Sequence, residues 1–270
     1  MTSDAQAAAL VSEFAPGLSA DVRGNGSPIV FVHGFPLNHS MWDAQLDAFS
    51  GTWKVIAPDL RGFGASSVTE TATMESFADD LVRMLDEMKI SEPIVLCGLS
   101  MGGYIAFQFV RKYSSRLRGL ILCDTKASAD TPEAAAGRRK TADQVLKEGA
   151  GQLAESMQQR LFAPSTLASQ PDVVEAVRKM MLGTKPEGIA AALNGMADRP
   201  DSTPLLASIR VPTLVICGSE DKITPASEMQ AMAGQIPGAK YVEVRGVGHM
   251  APMEDADTVN AAIREFLAHL

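Results

Sequence analysis

The chain has 270 residues, of which 46% are hydrophobic and 21% charged, and its formal net charge is −8. This composition excludes a disordered protein and allows a sizeable core, because the chain has enough apolar surface to offset the entropy of ordering it. The acidic balance repels polyanions and no basic patch is present, so we expect no nucleic-acid partner. Without a long apolar run or a signal-peptide pattern, we expect a cytoplasmic protein with no membrane partner, monomeric or weakly homodimeric.

Short apolar runs alternate with helix-length segments along most of the chain. Asn25-Gly26 predicts a turn between early antiparallel strands. Continuous apolar runs predict six buried strands at Pro28–His33, Trp53–Ala57, Ile94–Cys97, Gly119–Cys123, Thr213–Cys217 and Tyr241–Val244. Helices are predicted at Met74–Met88, Gly102–Tyr113, Ala226–Gln235 and Ala256–Ala268. The alternation predicts an α/β fold with a mostly parallel sheet flanked by helices.

Residues 126–208 break this rhythm, because they show helical patterns and no convincing strand. The predicted helices there are Pro132–Lys147, Gln152–Leu161, Asp172–Leu182 and Glu187–Ala197. Thr131 followed by Pro132 is typical of a helix start. We therefore assign residues 1–125 and 209–270 to an α/β core and residues 126–208 to a helical insertion.

The strongest chemical signal is the pentapeptide Gly98-Leu99-Ser100-Met101-Gly102, which lies between a predicted strand and a predicted helix. A serine on such a strand-to-helix turn has a strained backbone and projects its hydroxyl over the carboxyl edge of the sheet, where open α/β sheets bind ligands. Ser100 is therefore the candidate nucleophile. The alternative is a glycine-rich turn with an incidental serine.

A serine hydroxyl needs a base, and the base needs an orienting carboxylate. Among four histidines, His249 is the candidate base, because it follows the last predicted strand and its loop faces the same sheet edge as Ser100. Asp221, after the strand before it, completes the order Ser, Asp, His that this arrangement uses. Asp124 and Glu220 are the competing acids. We expect His39 to be structural and His269 to lie at the surface.

An oxyanion needs preorganised N–H donors. The candidates are the backbone amides of Met101, directly after the nucleophile, and of Phe35, in the loop after the first buried strand. Pro36 has no N–H, which leaves Leu37 as a further contributor. We expect the His33 side chain to brace this loop, and the side chains of Phe35 and Met101 to line the substrate pocket together with apolar residues of the insertion.

The remaining patterns predict no cofactor and no metal. The glycines of the segment from Asp59 to Ser66 are not followed by Gly-Lys-Ser/Thr, so we expect a rigid turn in which Asp59 and Arg61 make buried polar contacts. No dinucleotide fingerprint and no metal-ligand spacing of His, Cys and carboxylates is present. The three cysteines lie in apolar runs, which favours buried free thiols.

The motifs HGFP, DLRGFGAS, GLSMGG, GSEDKITP and GVGHM resemble, in content and order, those of the α/β-hydrolase superfamily. Serine at the nucleophile position differs from the aspartate of epoxide hydrolases and haloalkane dehalogenases. The segments HGFPLNHSMW, LILCDT and PEGIAAALNGMADRPDSTPLL are similar to bacterial carboxylesterases of the planctomycete type, and also to sequences labelled 3-oxoadipate enol-lactonase. The resemblance implies a helical cap, formed by the insertion, and hydrolysis of short-chain esters.

The sequence thus predicts a serine carboxylesterase that uses Ser100, His249 and Asp221 without a cofactor. Three alternatives stay open. The first is a lactone or enol-lactone hydrolase, which needs a cation for a substrate carboxylate; the insertion offers Arg138, Arg139, Lys140, Arg160 and Arg178. The second is perhydrolysis or C–C bond cleavage by the same triad. The third is a ligand receptor that keeps the triad but does not turn over.

Overall fold

The structure, a computed structural model, describes residues 10–14 and 17–270. Within them, eight strands form one sheet in the order β1-β2-β4-β3-β5-β6-β7-β8. β1 and β2 are antiparallel to their neighbours, and every pairing from β4 to β8 is parallel. The strands are β1 Leu10–Phe14, β2 Leu18–Arg23, β3 Pro28–Val32, β4 Lys54–Asp59, β5 Ile94–Leu99, β6 Leu117–Cys123, β7 Thr213–Gly218 and β8 Lys240–Val244.

The six predicted strands are present to within a few residues, because four- to six-residue apolar runs suit strands. The prediction that all six are buried was wrong for β8, an edge strand in which only Val244 is buried. The prediction for Asn25-Gly26 was partly wrong. The segment joins β2 and β3, which do run in opposite directions, but β4 lies between them and pairs with both. The turn therefore closes no hairpin.

Helices cover both faces of the sheet. Alternate residues of β3 point to opposite sides: Val30 and Val32 enter one hydrophobic cluster with α2 and α3, whereas Ile29 and Phe31 enter another with α1 and α11. The helices in the described residues are α1 Asp43–Phe49, α2 Met74–Glu87, α3 Met101–Tyr113, α4 Pro132–Glu148, α5 Gly151–Leu161, α6 Pro164–Ser169, α7 Pro171–Gly183, α8 Pro186–Ala197, α9 Ala226–Ala233, α10 Ala251–Glu254 and α11 Ala256–Leu267.

Five of these helices, α4 to α8, lie between β6 and β7, and residues 126–208, all of them described, contain no strand. Four of the five begin with proline, whose fixed φ and missing N–H suit the first helical position. The four predicted helices of the insertion are confirmed. The unpredicted α6 has six residues, too few to show a helical period. No helix in the described part of the chain is long and apolar enough to cross a bilayer.

Candidate active site

Ser100 lies on the sharp turn between β5 and α3. Its φ of +53° and ψ of −110° are unusual for a residue with a side chain, and such strain persists only where the surroundings enforce it. The Ser100 amide donates to the Cys123 carbonyl oxygen over 2.9 Å, and the Ser100 carbonyl accepts from Thr125 Oγ1 over 2.7 Å. These bonds to the end of β6 hold the hydroxyl at the carboxyl edge of the sheet.

The two glycines that flank Ser100 are dictated by close backbone packing. A Cβ on Gly98 would lie 2.4 Å from the Gly102 carbonyl carbon, and a Cβ on Gly102 would lie 2.4 Å from the Val32 carbonyl oxygen. Because backbone atoms cannot give way, only glycine fits at either position. The spacing of the G-x-S-x-G motif is thus a packing requirement of this turn.

His249 joins Ser100 to Asp221. Its Nε2 lies 2.9 Å from Ser100 Oγ and its Nδ1 lies 2.7 Å from Asp221 Oδ2. His249 is 2% exposed. A neutral imidazole fits this pattern when Nδ1–H donates to the carboxylate and the free Nε2 accepts the serine proton. The three side chains therefore form a continuous hydrogen-bonded chain from a buried carboxylate to a hydroxyl at the cleft.

Asp221 is held as an ionised carboxylate. Its Oδ1 accepts the amides of Ile223 and Thr224 over 2.7 and 3.0 Å, and its Oδ2 accepts the Thr224 hydroxyl over 2.5 Å. Burial acts to raise the pKa of Asp221, but the attraction of His249 and these hydrogen bonds outweigh it and bring the pKa below its usual range. The carboxylate is therefore negatively charged at neutral pH.

Asp124, the competing acid, does not contact His249. Its Oδ1 accepts the Gly218 amide over 2.8 Å, and its Oδ2 has no partner among the described residues although the side chain is fully buried. Burial, followed by repulsion from Asp221, raises the pKa of Asp124 well above its usual range, so this group is a neutral acid. The second competitor, Glu220, is exposed.

Asp124, Cys217 and Asp221 bring potential ligand atoms within 4.8 Å of one another. The sequence spacing did not predict this cluster, because Asp124 follows β6, whereas Cys217 lies at the end of β7 and Asp221 just after it. These residues do not fit a divalent ion. Burial raises the pKa of the Cys217 thiol, whose Sγ donates to the carbonyls of Gly218 and Thr224. Both oxygens of Asp221 are occupied by His249 and the 223–224 turn, and the Cys217 thiol by two carbonyls, so the cluster leaves too few free ligand atoms for a divalent ion.

The loop after β3 lies directly against the Ser100 turn. A Cβ on Gly34 would lie 3.6 Å from Ser100 Cβ. In the described part of the chain, the amides of Phe35 and Met101 donate to no protein acceptor, whereas the Leu37 amide donates to the Gly34 carbonyl over 3.0 Å. Phe35 and Met101 thus offer free donors beside the serine, and Leu37 does not.

His33 braces this loop, as predicted. Its Nδ1 donates to the Gly34 carbonyl over 2.8 Å, and its Nε2 accepts the Leu60 amide over 3.0 Å. Both ring nitrogens are used by a neutral ring, and burial lowers the pKa of His33 to about 4. The bonds join the loop after β3 to the loop after β4.

The polar contacts predicted for Asp59, at the end of β4, and for Arg61, in the loop after it, are present. Asp59 is buried and accepts from His39 Nδ1 over 2.7 Å and from the Ala65 amide over 2.9 Å. The bond to Asp59 raises the pKa of His39. Arg61 pairs with the buried Asp80. His39 and Arg61 therefore support the loops and do not reach Ser100, and His269 is exposed at the surface.

A cavity of about 490 Å³ opens at Ser100, His249, Phe35 and Tyr104. The expectation for the Met101 side chain was wrong: it is fully buried in the core, because α3 turns it away from the cleft. The inserted helices supply the opposite wall, from α4, α5, α8 and the connection before α5: Ala134, Gly137, Arg138, Thr141, Gln144, Val145, Gly149, Gln152, Leu153, Ser156, Met157, Arg160, Leu193 and Met196.

The cavity wall contains two arginines and no acidic side chain, although the chain as a whole has more acidic than basic residues. Arg138 Nε donates to Asp130, which also pairs with the buried Arg199, so this trio keeps one net positive charge. Arg160 makes no ion pair within the described residues. Of the other predicted cations, Arg139 and Arg178 pair with acids outside the cavity, and Lys140 also lies outside it.

Comparisons with known proteins identify the fold family of this chain. The family model of the α/β-hydrolase fold matches residues 27–256. A thermophilic esterase from Thermogutta terrifontis, solved with malate bound, is 48% identical with a TM-score of 0.94, and the match covers 97% of this chain and 99% of that one. The enol-lactonase from Burkholderia xenovorans LB400 is 28% identical with a TM-score of 0.88, over 96% and 100% of the two chains.

Among curated relatives, 3-oxoadipate enol-lactonase 1 of Acinetobacter baylyi is 28% identical over 242 residues, which are 89% of each chain. These findings confirm the predicted fold class and the resemblance inferred from the motifs.

Proposed function

Because the chain belongs to the α/β-hydrolase family, we propose that this hydrolase is a serine carboxylesterase with Ser100, His249 and Asp221 as its catalytic triad. The observation that carries the proposal is the continuous hydrogen-bonded chain from Asp221 through His249 to Ser100, which ends at the wall of a cavity. We further propose that residues 1–125 and 209–270 form the catalytic core, and that residues 126–208, called the cap from here on, select the substrate.

In the proposed mechanism, Ser100 Oγ attacks the ester carbonyl carbon while His249 Nε2 takes the hydroxyl proton. Asp221 stabilises the resulting imidazolium and keeps Nδ1 protonated. The carbonyl oxygen becomes an oxyanion that the amides of Phe35 and Met101 stabilise, each donor being worth on the order of 3 kcal/mol. As the intermediate collapses, His249 returns the proton to the departing alkoxide and leaves an acyl-enzyme. Water, deprotonated by His249, then releases the carboxylic acid and restores the serine.

The size of the cavity supports a small-molecule substrate. Its volume of about 490 Å³ lies within the range of ordinary small-molecule pockets, roughly 300–1,000 Å³. We therefore expect esters with short acyl chains to be preferred over long ones.

The test is steady-state hydrolysis of p-nitrophenyl acetate, butyrate, octanoate and palmitate. We expect turnover that favours the short chains and falls by about 10⁴-fold or more in Ser100→Ala, because the nucleophile is lost. Ser208→Ala, which changes an exposed serine of a distant turn, is the matched control and should keep full activity. Activity that survives in Ser100→Ala would refute the triad, and a stoichiometric burst without turnover would indicate a receptor.

A second candidate is hydrolysis of esters or lactones that carry a carboxylate. Arg138 and Arg160 in an otherwise uncharged cavity wall favour it, since guanidinium groups suit carboxylates. The names of the relatives point the same way: two are enol-lactonases, and the esterase was solved with malate, a dicarboxylate. Turnover of an enol-lactone far above that of simple esters would favour this candidate over the first.

A further inference from the structure

Glu254, at the end of α10, is a buried carboxylate that no cation of the described residues neutralises. It is 5% exposed. Its Oε1 accepts the amides of Gly248 and Met250 over 2.9 and 3.1 Å. Its Oε2 accepts the Ala163 amide over 3.0 Å and the Thr166 hydroxyl over 2.5 Å. Four donors thus satisfy the four acceptor positions of one carboxylate.

These donors belong to two separate parts of the molecule. Gly248 and Met250 flank His249, whereas Ala163 and Thr166 lie in the cap, at the start of α6. The His249 amide itself donates to the carbonyl of Leu161, the last residue of α5, over 2.8 Å. Residues 248–250 are called the histidine loop. Their three backbone amides all donate hydrogen bonds: the first and third to Glu254, and the middle one to the cap.

The contact between the loop and the cap is tight at the backbone level. A Cβ on Gly248 would lie 2.7 Å from the Ala163 amide nitrogen, so no side chain separates the two segments. The carboxylate of Glu254 bridges them from one side and the bond from His249 to Leu161 bridges them from the other. The loop and the start of α6 are therefore joined by hydrogen bonds and by direct backbone contact.

We propose that Glu254 is a positioning residue for His249. Through its hydrogen bonds, the position of the cap determines the alignment of the His249 imidazole. The proposal rests on the proposed role of His249 in catalysis. Glu254 contacts neither Ser100 nor Asp221, so it acts through the backbone on both sides of the imidazole. Fixing that backbone keeps Nε2 at 2.9 Å from the serine and Nδ1 at 2.7 Å from the aspartate. A misplacement of about 1 Å in such a site can cost about 10²-fold in rate.

The residue type follows from the four donors. Glutamine has one acceptor oxygen, so its amino group would face two of the donors without bonding to them. Aspartate is shorter by one methylene group and could not reach both segments. Bonds to a charged acceptor are also about twice as strong as neutral ones, which suits a loop that must stay in register.

The main experiment compares Glu254→Gln with Asp80→Asn. Asp80 is the matched control, since it is also a buried carboxylate, lies on α2 outside the site and pairs with Arg61. We expect Glu254→Gln to lower kcat on p-nitrophenyl acetate by about 10- to 100-fold with KM within about threefold, because alignment rather than binding is lost. Asp80→Asn should lower Tm and keep kcat near the wild-type value at a temperature where both variants are folded.

Thr166→Val removes a single bond on the cap side and leaves both bonds to the histidine loop. Thr166 does not line the cavity. We nevertheless expect kcat to fall by about 3- to 10-fold, because the carboxylate loses one of its anchors. If Glu254→Gln fails to fold, Thr166→Val tests the same proposal, because it weakens the hold on the same carboxylate.

A spectroscopic readout separates this proposal from the proposed function. The proton between His249 Nδ1 and Asp221 should give a downfield NMR signal that shifts or broadens in Glu254→Gln and is unchanged in Asp80→Asn. Wild-type kcat in both Glu254→Gln and Thr166→Val, or an equal loss in Asp80→Asn, would overturn the positioning role. If the wild type shows no hydrolysis that depends on Ser100, the proposed function fails, and an unchanged NMR signal would then overturn the positioning role as well.

Discussion

The core side and the cap side of the cavity differ in how deeply their residues are buried. Helix α3, which follows Ser100, buries ten of its 13 residues, whereas α4 on the opposite wall buries two of 17. The backbone packs so closely at Gly98 and Gly102 that a Cβ at either position would lie 2.4 Å from a backbone atom, and the serine turn is held between them. An exposed residue of α4 can change with little packing cost, whereas Ala142 and Val145, which are buried, cannot. We therefore expect the chemistry to reside in the core and the selectivity in the cap.

The two sides also differ in how their charges are held. On the core side, Asp221 is buried and fully hydrogen-bonded. Removing its carboxylate would therefore leave the buried donors of Ile223 and Thr224 without an acceptor. On the cap side, Arg160 is exposed and unpaired within the described residues, and solvent and salt screen it. Removing the charge of Asp221 should therefore have a larger effect than removing the charge of Arg160.

The largest effect is expected from Asp221→Asn. An amide cannot hold Nδ1–H in the required tautomer or stabilise the imidazolium, so kcat should fall by about 10⁴-fold. The measurement is steady-state hydrolysis of p-nitrophenyl acetate. Glu220→Gln changes the exposed neighbour and should be without effect; a comparable loss in both variants would assign the effect to the turn instead of the triad.

The next effect is on stability and depends on pH. The pKa of His33 is lowered to about 4 in the folded protein, against about 6.5 when unfolded, so the unfolded state binds more protons between these values. The stability from this neutral histidine is complete above pH 6.5 and is lost as pH falls toward 4, by about 3 kcal/mol in total. Urea unfolding across this pH range should show that the free energy of unfolding falls less on acidification in His33→Gln than in the wild type.

His39 provides a control of opposite sign for this measurement. The pKa of His39 is raised by Asp59, so its contribution is present below pH 6.5 and is lost as pH rises. His39→Gln should therefore lose stability at low pH relative to the wild type and little at high pH. Parallel pH profiles for the two variants would contradict the assigned protonation states.

A smaller effect should follow from Arg160→Gln, and only on anionic substrates. Loss of a partly screened charge should lower kcat/KM for the p-nitrophenyl monoester of glutaric acid by about fivefold and leave p-nitrophenyl valerate within about twofold. Arg178→Gln, on the outer surface of the cap, is the matched control. Equal losses on both substrates would contradict the carboxylate subsite. High salt should reduce the difference in kcat/KM between the wild type and Arg160→Gln on the anionic substrate.

The smallest effect is expected from Asp124→Asn. Because Asp124 is already neutral, an amide of the same shape that keeps the bond from the Gly218 amide should hold kcat within about threefold. A loss as large as that of Asp221→Asn would show that Asp124 carries a charge that the site uses.

The sequence predicted those parts of the site that local backbone geometry imposes. The pentapeptide around Ser100 could be recognised because glycines are required where β5 turns into α3, and this requirement acts within five residues. His249 and Asp221 followed from their places after buried strands, since parallel strands bring their carboxyl ends to one edge. Chain order favoured Asp221 as the acid but left Asp124 as an alternative, because both follow buried strands.

The sequence did not indicate contacts that depend on long-range packing. Glu254 lies 88 positions from Thr166, and nothing near it in the chain marks it as a shared acceptor. The short helices α1, α6 and α10, with seven, six and four residues, contain too few turns to show a period. Which of the five cap cations face the cavity depended on how α4 and α5 pack over the core.

By itself, the sequence determined the α/β alternation, the helical insertion and the residues able to act as nucleophile, base and acid. These features depend on hydrophobic periodicity, on strand-end positions and on backbone conformations open to few residue types, all of which are local. The tertiary structure alone decided that Asp221 and not Asp124 contacts His249, that Arg138 and Arg160 face the cavity, and that Glu254 joins the histidine loop to the cap. Each of these contacts joins residues from different elements, and only the packed chain brings them within hydrogen-bonding or electrostatic range.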